Sequence, residues 1–292
     1  MNVTFDAEWR ARFERFATRQ TDEAGVSGWS ECGLRRRSRT FERLLDELEL
    51  PAAARVLDVG CGAGTYVRLL AGRGHRALGL DYSLPSLRRA LDADGDARGR
   101  YLAADAYTLP FPGGTFDLVV SIGVLQALAT PDRALAELAR VVKPGGVLVV
   151  EALNASAATA RAQRWVERLR RRPPRVRAYA PFAVQRWLVR LGLRVERRVP
   201  IFLPPRNAPR LERLFDTSAL ARVMAAQPAV LFTAHTFLFV AVMGGPDMAR
   251  PREVGAPIWP PRPPRSEAPR GGARTHPWTR GAPRVPLAVW RP

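Results

Sequence analysis

From Ala54 onward, short apolar runs alternate with stretches whose apolar residues recur at helical spacing. "ARVLDVG" reads as a strand and is followed by the helical "GTYVRLLAGRG"; "RALGLDYS" is a second strand and "LPSLRRALDAD" a second helix. "RYLAAD", "FDLVVSIG" and "VLVVEALN" read as the third, fourth and fifth strands, with the helix "PDRALAELARVV" ended by "KPGG" before the fifth. Strand-helix units of this length predict an α/β fold, a doubly wound parallel sheet covered by helices on both faces. Ligands of such sheets lie beyond the carboxyl ends of the strands, where the chain order reverses. The residues that follow each strand are therefore the candidates for function.

The sharpest of these segments is "VLDVGCGAGTY", Val56–Tyr66. A dinucleotide turn has the spacing G-x-G-x-x-G and lets a pyrophosphate reach a helix N-terminus. Here the glycines are Gly60, Gly62 and Gly64, and Thr65 stands where the third glycine would fall. Asp58, two residues before Gly60, would repel a pyrophosphate and attract an ammonium group. The loop favours a nucleoside that carries an amino-acid group instead of phosphates. Asp81 closes the second strand 21 residues after Gly60, at the place where a carboxylate accepts hydrogen bonds from a ribose diol. Asp105 follows the third strand and can accept from an adenine amino group, with the Ala106 N–H donating to the ring. Each of these acids also has a structural reading, as a turn former at Asp81 and a helix N-cap at Asp105.

The formal charge of +19 has a location. Residues 1–160 carry 20 basic and 20 acidic side chains, whereas residues 161–198 carry 13 and 2. The half that holds the glycine loop is neutral, which argues against a nucleic-acid groove there. Cys32 and Cys61 are the only cysteines and have no metal-ligand spacing, so neither a disulfide framework nor a zinc site is expected. The N-terminus carries charges throughout and lacks a signal-peptide pattern, which reads as a cytoplasmic protein. The most apolar stretch, Ala229–Gly245, is short for a bilayer span and reads as a buried strand. Residues 246–292 hold 12 prolines among arginines and glycines and read as a disordered tail.

Together, "LDVGCGAGTY", "GLDYS", "AADAYTLPFPGGTFDLVVSIGVLQAL" and "ELARVVKPGGVLVV" resemble the class I S-adenosylmethionine-dependent methyltransferases, in particular the small-molecule branch that includes quinone-biosynthesis enzymes. The resemblance covers about residues 50–155. It implies a Rossmann-like sheet, mostly parallel with an antiparallel last strand, and S-adenosyl-L-methionine as cofactor. It places Asp58 and Gly60–Gly64, with Cys61 and Gly62 between them, beside the methionine portion. Asp81 falls at the ribose, Asp105 and Ala106 at the adenine, and Ser121 near the transferred methyl, with Tyr82 a further cofactor-binding residue. Family members often carry histidine at or beside the position of Gln126; the run here is "VLQAL", so no catalytic histidine carries over. Gln126, Glu151, Asn154 and His235 are weighed as acceptor-side or proton-transfer candidates, each against a structural role.

Residues 1–49 read as an N-terminal helical cap, with "GWSECGLRRRSRTFERLLDEL" as the helix before the first strand. Residues 50–245 form the methyltransferase domain, with 155–190 and 201–230 as acceptor-side insertions. The first insertion has two helical pieces split by Pro173 and Pro174, with Trp165, Val166 and Leu169 at helical spacing among arginines. Those arginines suit a phosphorylated or carboxylated acceptor, contact with an anionic membrane surface, or a merely solvated face. Methyl transfer to a small, lipidic or anionic acceptor is the leading reading. An RNA-associated protein using the Arg-rich segments and a dinucleotide-dependent oxidoreductase are the alternatives; the oligomeric state is not encoded in any motif.

Overall fold

The computed structural model describes residues 5–20, 22–95, 99–171, 176–203 and 230–245. Three helices precede the sheet: α1 (Phe5–Arg19), α2 (Glu23–Val26) and α3 (Glu31–Glu47). The start of α3 is set by Ser30, whose hydroxyl accepts the Gly33 N–H at 3.1 Å, relieving one of the unpaired donors at the helix end. Its buried face runs through Cys32, Arg36, Arg37, Phe41, Leu44 and Leu45, the three-and-four spacing that puts side chains on one side of a helix.

The alternating region then forms β1 (Arg55–Val59), α4 (Thr65–Gly72), β2 (Arg76–Asp81), α5 (Leu84–Ala93), β3 (Arg100–Ala103) and β4 (Phe116–Ser121). A short 3-10 turn (Leu125–Ala127), α6 (Pro131–Val141) and β5 (Val142–Leu153) follow. The last elements among the described residues are α7 (Ala158–Leu169), α8 (Pro181–Arg190), β6 (Leu193–Ile201), α9 (Val230–Thr233) and β7 (Thr236–Met243). The seven strands lie in the order β3-β2-β1-β4-β5-β7-β6. β1 to β5 pair in parallel, and β7 runs antiparallel to both β5 and β6. The fold class expected from the sequence is the one observed, including the reversed last strand.

Both faces of the sheet are covered, so successive strand residues enter different cores. Leu57, Val119 and Leu148 pack on one side with α6 and α8, while Val56, Leu118 and Val149 pack on the other with Phe41, Tyr66 and Leu70. This is why the apolar residues of β1 and β4 stand next to one another, as Val56-Leu57 and Leu118 to Val120, instead of alternating with polar ones. The apolar segment near the C-terminal end forms α9 and β7, with Phe237 to Ala241 buried; no helix among the described residues is long and apolar enough to cross a membrane.

One boundary differs from the sequence reading. The "KPGG" expected to separate α6 from the fifth strand lies inside β5: Val142 already pairs with Phe116, and the ladder resumes at Val147 opposite Leu118. Gly145, at φ 76°, absorbs the irregularity, and the Lys143 ammonium bonds Asp117 at 2.5 Å across it. The core of the second insertion (204–229) and the tail (246–292) lie outside the described residues, as do 172–175 in the first insertion.

Candidate functional site

β1 stands where the strand order reverses, with β2 on one side and β4 on the other. A cleft opens at the carboxyl ends of these strands, floored by Gly60, Cys61 and Gly62 after β1, Asp81 and Tyr82 after β2, and Asp105 and Ala106 after β3. The sequence had singled out all seven. The glycine loop is held from below: the N–H groups of Gly60 and Cys61 both donate to the Leu80 carbonyl, at 2.7 and 3.0 Å. Gly60, Gly62 and Gly64 all have left-handed backbones, at φ 77°, 53° and 80°. At Gly60 a side chain is excluded twice, because a Cβ there would also lie 2.3 Å from Val124. At Gly62, which lines the cleft, an added Cβ would meet Ser27 Oγ at an ordinary contact distance of 3.7 Å.

The carboxylates around this loop are of three kinds. Asp81 is buried and its two oxygens accept the N–H groups of Gly62 and Ser83, each at 2.9 Å. Each oxygen keeps a further lone pair for a ligand hydroxyl. Burial pushes the Asp81 pKa up, against the lowering effect of those N–H groups. Asp58 lies deeper, 2% exposed, and its Oδ2 has no hydrogen-bond partner. Burial and the neighbouring Asp81 charge push its pKa up to about 8. Glu23, from α2, bonds both the Thr65 hydroxyl and the Arg68 guanidinium at the start of α4. The helix terminus that would meet a pyrophosphate in a dinucleotide site is therefore occupied by a carboxylate.

A buried carboxylate with an oxygen left unpartnered is unfavourable when ionised. Since its folded-state pKa lies above the ordinary value of 3.8, the cost is absent below that value, grows as pH rises and is complete above about 8. Asp58→Asn should raise the melting temperature of the ligand-free protein, by more at about pH 9 than at about pH 5, in a scan of thermal unfolding against pH. Equal shifts at both would show that the Asp58 charge is already compensated in the native state.

The roof comes from the N-terminal helices. Asp6, Trp9, Arg10 and Phe13 of α1, together with Val26, Ser27 and Trp29, line the cleft. Asp6 accepts from the Tyr107 hydroxyl at 3.2 Å and the Ala129 N–H at 2.7 Å. The Arg10 guanidinium pairs with Asp105 and lies 5.0 Å from the centre of the Tyr82 ring. None of these roof residues was singled out in the sequence. Trp9 and Phe13 do stand four apart on one helix face, the signal that could have found them.

Other expected residues stand behind the cleft or away from it. Gly64 is the N-cap of α4, packed towards Tyr101. The Ser121 hydroxyl donates to the Val59 carbonyl at 3.1 Å and ties β4 to β1 beneath the lining residues Ile122 and Gly123. Gln126, Glu151, Asn154 and His235 are not among the lining residues. Glu151 forms a fully buried ion pair with Arg37 of α3, at 2.9 and 3.1 Å. Asn154 donates to the carbonyls of Leu231 and Ala234 and accepts from the Ser156 N–H, closing the β5–α9 junction. The His235 backbone bonds Asn154 and Ile201. Gln126 is buried with its Oε1 unpartnered, next to the lining residue Ala127. Burial raises the Cys61 thiol well above its usual range, so it is not a nucleophile at neutral pH. Among the described residues no cluster of acids, cysteines and histidines is placed to hold a metal.

A doubly wound sheet with a phosphate-averse nucleoside cleft at its switch point defines a class of α/β proteins that take nucleosides bearing an amino-acid group. Residues 57–150 match the methyltransferase domain family, and over about that stretch the chain is similar to S-adenosylmethionine-dependent methyltransferases of class I. Among curated relatives, it is 41% identical over 109 residues to 2-methyl-6-phytyl-1,4-hydroquinone methyltransferase of Synechocystis, covering 36% of this chain and 34% of that protein. It is 39% identical over 122 residues to demethylmenaquinone methyltransferase of Thermus thermophilus, covering 40% and 53%. The chain thus spans a third to about half of the length of these relatives. The solved structure of magnesium protoporphyrin IX methyltransferase from Synechocystis, with bound SAH, shares the fold at a TM-score of 0.55 and 15% identity, covering 82% of this chain and 96% of that one.

Proposed function

We propose that this protein transfers a methyl group from S-adenosylmethionine to a small, apolar acceptor. The observation that carries this reading is the convergence of the left-handed Gly60 and Gly62 with the carboxylates Asp81 and Asp105 around one cleft, with Asp58 buried behind the glycine loop. Asp81 accepts the ribose hydroxyls, Asp105 and Ala106 meet the adenine beside Tyr82, and the unpartnered Asp58 oxygen compensates the ammonium of the methionine end. When bound, S-adenosylmethionine would supply a methyl on a positively charged sulfur, the sulfur–carbon bond breaking to give a neutral thioether as the acceptor atom forms its bond to that carbon. The chain's part is to hold the two partners in line and keep water out, and the apolar walls of Phe13, Trp29, Ile122, Val124 and Leu128 serve that end.

The acceptor's character follows from the same walls. Of the arginines, the described lining includes Arg10, which is already paired with Asp105. An acceptor held by its anionic group would leave that group facing carboxylates and aromatic rings, so a lipidic or aromatic molecule fits better than a phosphorylated one. The two relatives, named for methylating hydroquinone and menaquinone precursors, support that choice of class.

Calorimetry with S-adenosylmethionine and with NAD on the purified chain tests the cofactor. Saturable binding of the first with no heat from the second is expected; the reverse result would remove the methyltransferase reading in favour of an oxidoreductase. Labelled methyl transfer to an extract from cells lacking the gene, split into lipid, RNA, protein and polar pools, then tests the acceptor. Label in the lipid pool is expected, and label confined to RNA would overturn the small-molecule assignment.

A further inference from the structure

We propose that α7 is an in-plane anchor that docks the protein on an anionic lipid surface. At 100° per residue, Ala158, Ala162, Trp165, Val166 and Leu169 gather on one side of this helix, with Arg161, Arg164 and Arg168 on the flank. A helix packed on a protein core turns such a side inward. Here the polarity is inverted. No residue of α7 is buried, and the half-buried positions are Ala160 and Glu167, on the opposite side. Trp165 and Leu169, each 64% exposed, are the most exposed large apolar side chains among the described residues.

This orientation is held by contacts at both ends of the surrounding structure. Arg164 donates to the Ala155 carbonyl at the base of the helix. Asn154 grips the carbonyls of Leu231 and Ala234, fixing α9, which packs beside α7 and adds the half-exposed Phe232 to the same region. Arg161, Arg168, Arg170 and Arg171 are all exposed around the apolar stripe, while Glu167, the one acid of the segment, is half-buried on the other side and accepts from the Gln163 amide at 3.0 Å.

An apolar stripe flanked by cations asks for a partner that offers hydrocarbon and negative charge at adjacent depths. A bilayer of anionic lipid does so: Trp165, Val166 and Leu169 enter the acyl boundary while the guanidinium groups meet phosphates. An RNA offers phosphates but gives Leu169 and Val166 no base-stacking role. The chain's own residues 204–229 carry four arginines and two acids, a like charge to the arginines of α7. The inference does not depend on the cofactor assigned to the cleft.

Cosedimentation with vesicles at about 0.15 M salt tests it. The full chain is expected to sediment with vesicles of equal parts phosphatidylglycerol and phosphatidylcholine, and far less with phosphatidylcholine alone. Trp165→Ala/Leu169→Ala should lower the partition coefficient about tenfold or more, with an unchanged melting temperature because neither side chain is buried. Arg161→Gln/Arg168→Gln/Arg171→Gln should remove the preference for anionic vesicles. Equal sedimentation of the parent and the Trp165/Leu169 variant, no sedimentation of the parent, or competition by RNA that is itself lost in the Trp165/Leu169 variant, would each overturn the proposal.

Discussion

Asp81→Ala should lower the affinity for S-adenosylmethionine by about two orders of magnitude or more in calorimetric titration, with little change in the unfolding midpoint of the ligand-free protein. The loss of binding follows from two charge-assisted hydrogen bonds to the ribose, each contributing about 1.5–3 kcal/mol. The small effect on stability follows from the cost of burying the same carboxylate, which is what raises its pKa. The N–H groups of Gly62 and Ser83 lose their acceptor in this variant, and Gly62 lines the cleft, so water can take the place of the missing oxygen there. Asp81→Asn keeps one acceptor oxygen and should retain part of the affinity. Undiminished binding by both variants would remove the ribose assignment. A large drop in the unfolding midpoint would instead make Asp81 a structural clamp on the glycine loop.

The floor of the site was legible because topology places it. Once strands and helices alternate, every strand end is a candidate, and Gly60, Asp81 and Asp105 come from adjoining ends without any knowledge of tertiary contacts. A helical cap was expected at the N-terminus, but the residues that make the roof were not legible, for the opposite reason. Asp6, Trp9 and Arg10 reach the cleft from a helix that has no fixed place in the strand pattern, through contacts to Tyr107, Asp105 and Tyr82 that span about a hundred residues or somewhat fewer in sequence. Charge in the sequence is equally silent about direction. The arginine density of residues 161–198 suited an acceptor lid as well as a solvated face, and only the burial pattern of α7 shows that its apolar side points away from the body.

Glu151 shows the same gap at a single residue, since a strand-end acid near a cofactor cleft reads as a proton acceptor until its partner is seen. Arg37 stands 114 residues earlier and meets it with both groups withdrawn from water, at 3% and 0% side-chain exposure. Removing one member of such a pair leaves an uncompensated buried charge, so Glu151→Ala should destabilise the protein by about 3–5 kcal/mol in urea unfolding. The paired replacement Arg37→Met/Glu151→Leu, which removes both charges and keeps the volume, should recover most of that loss. The effect should reach the cleft as well. The Arg37 guanidinium lies 4.3 Å from the centre of the Trp29 ring, and Trp29 lines the cleft against Gly123, where a Cβ would come within 2.3 Å of the indole. Trp29 is thus wedged between a cation fixed by Glu151 and a backbone bare enough to accept it. Loss of the pair in the double variant should free the indole and weaken acceptor binding more than cofactor binding, read by titrating each separately. A double variant that regains its stability but loses cofactor affinity alone would place the pair behind the methionine end, with Asp58 and Tyr66, instead of behind the acceptor wall.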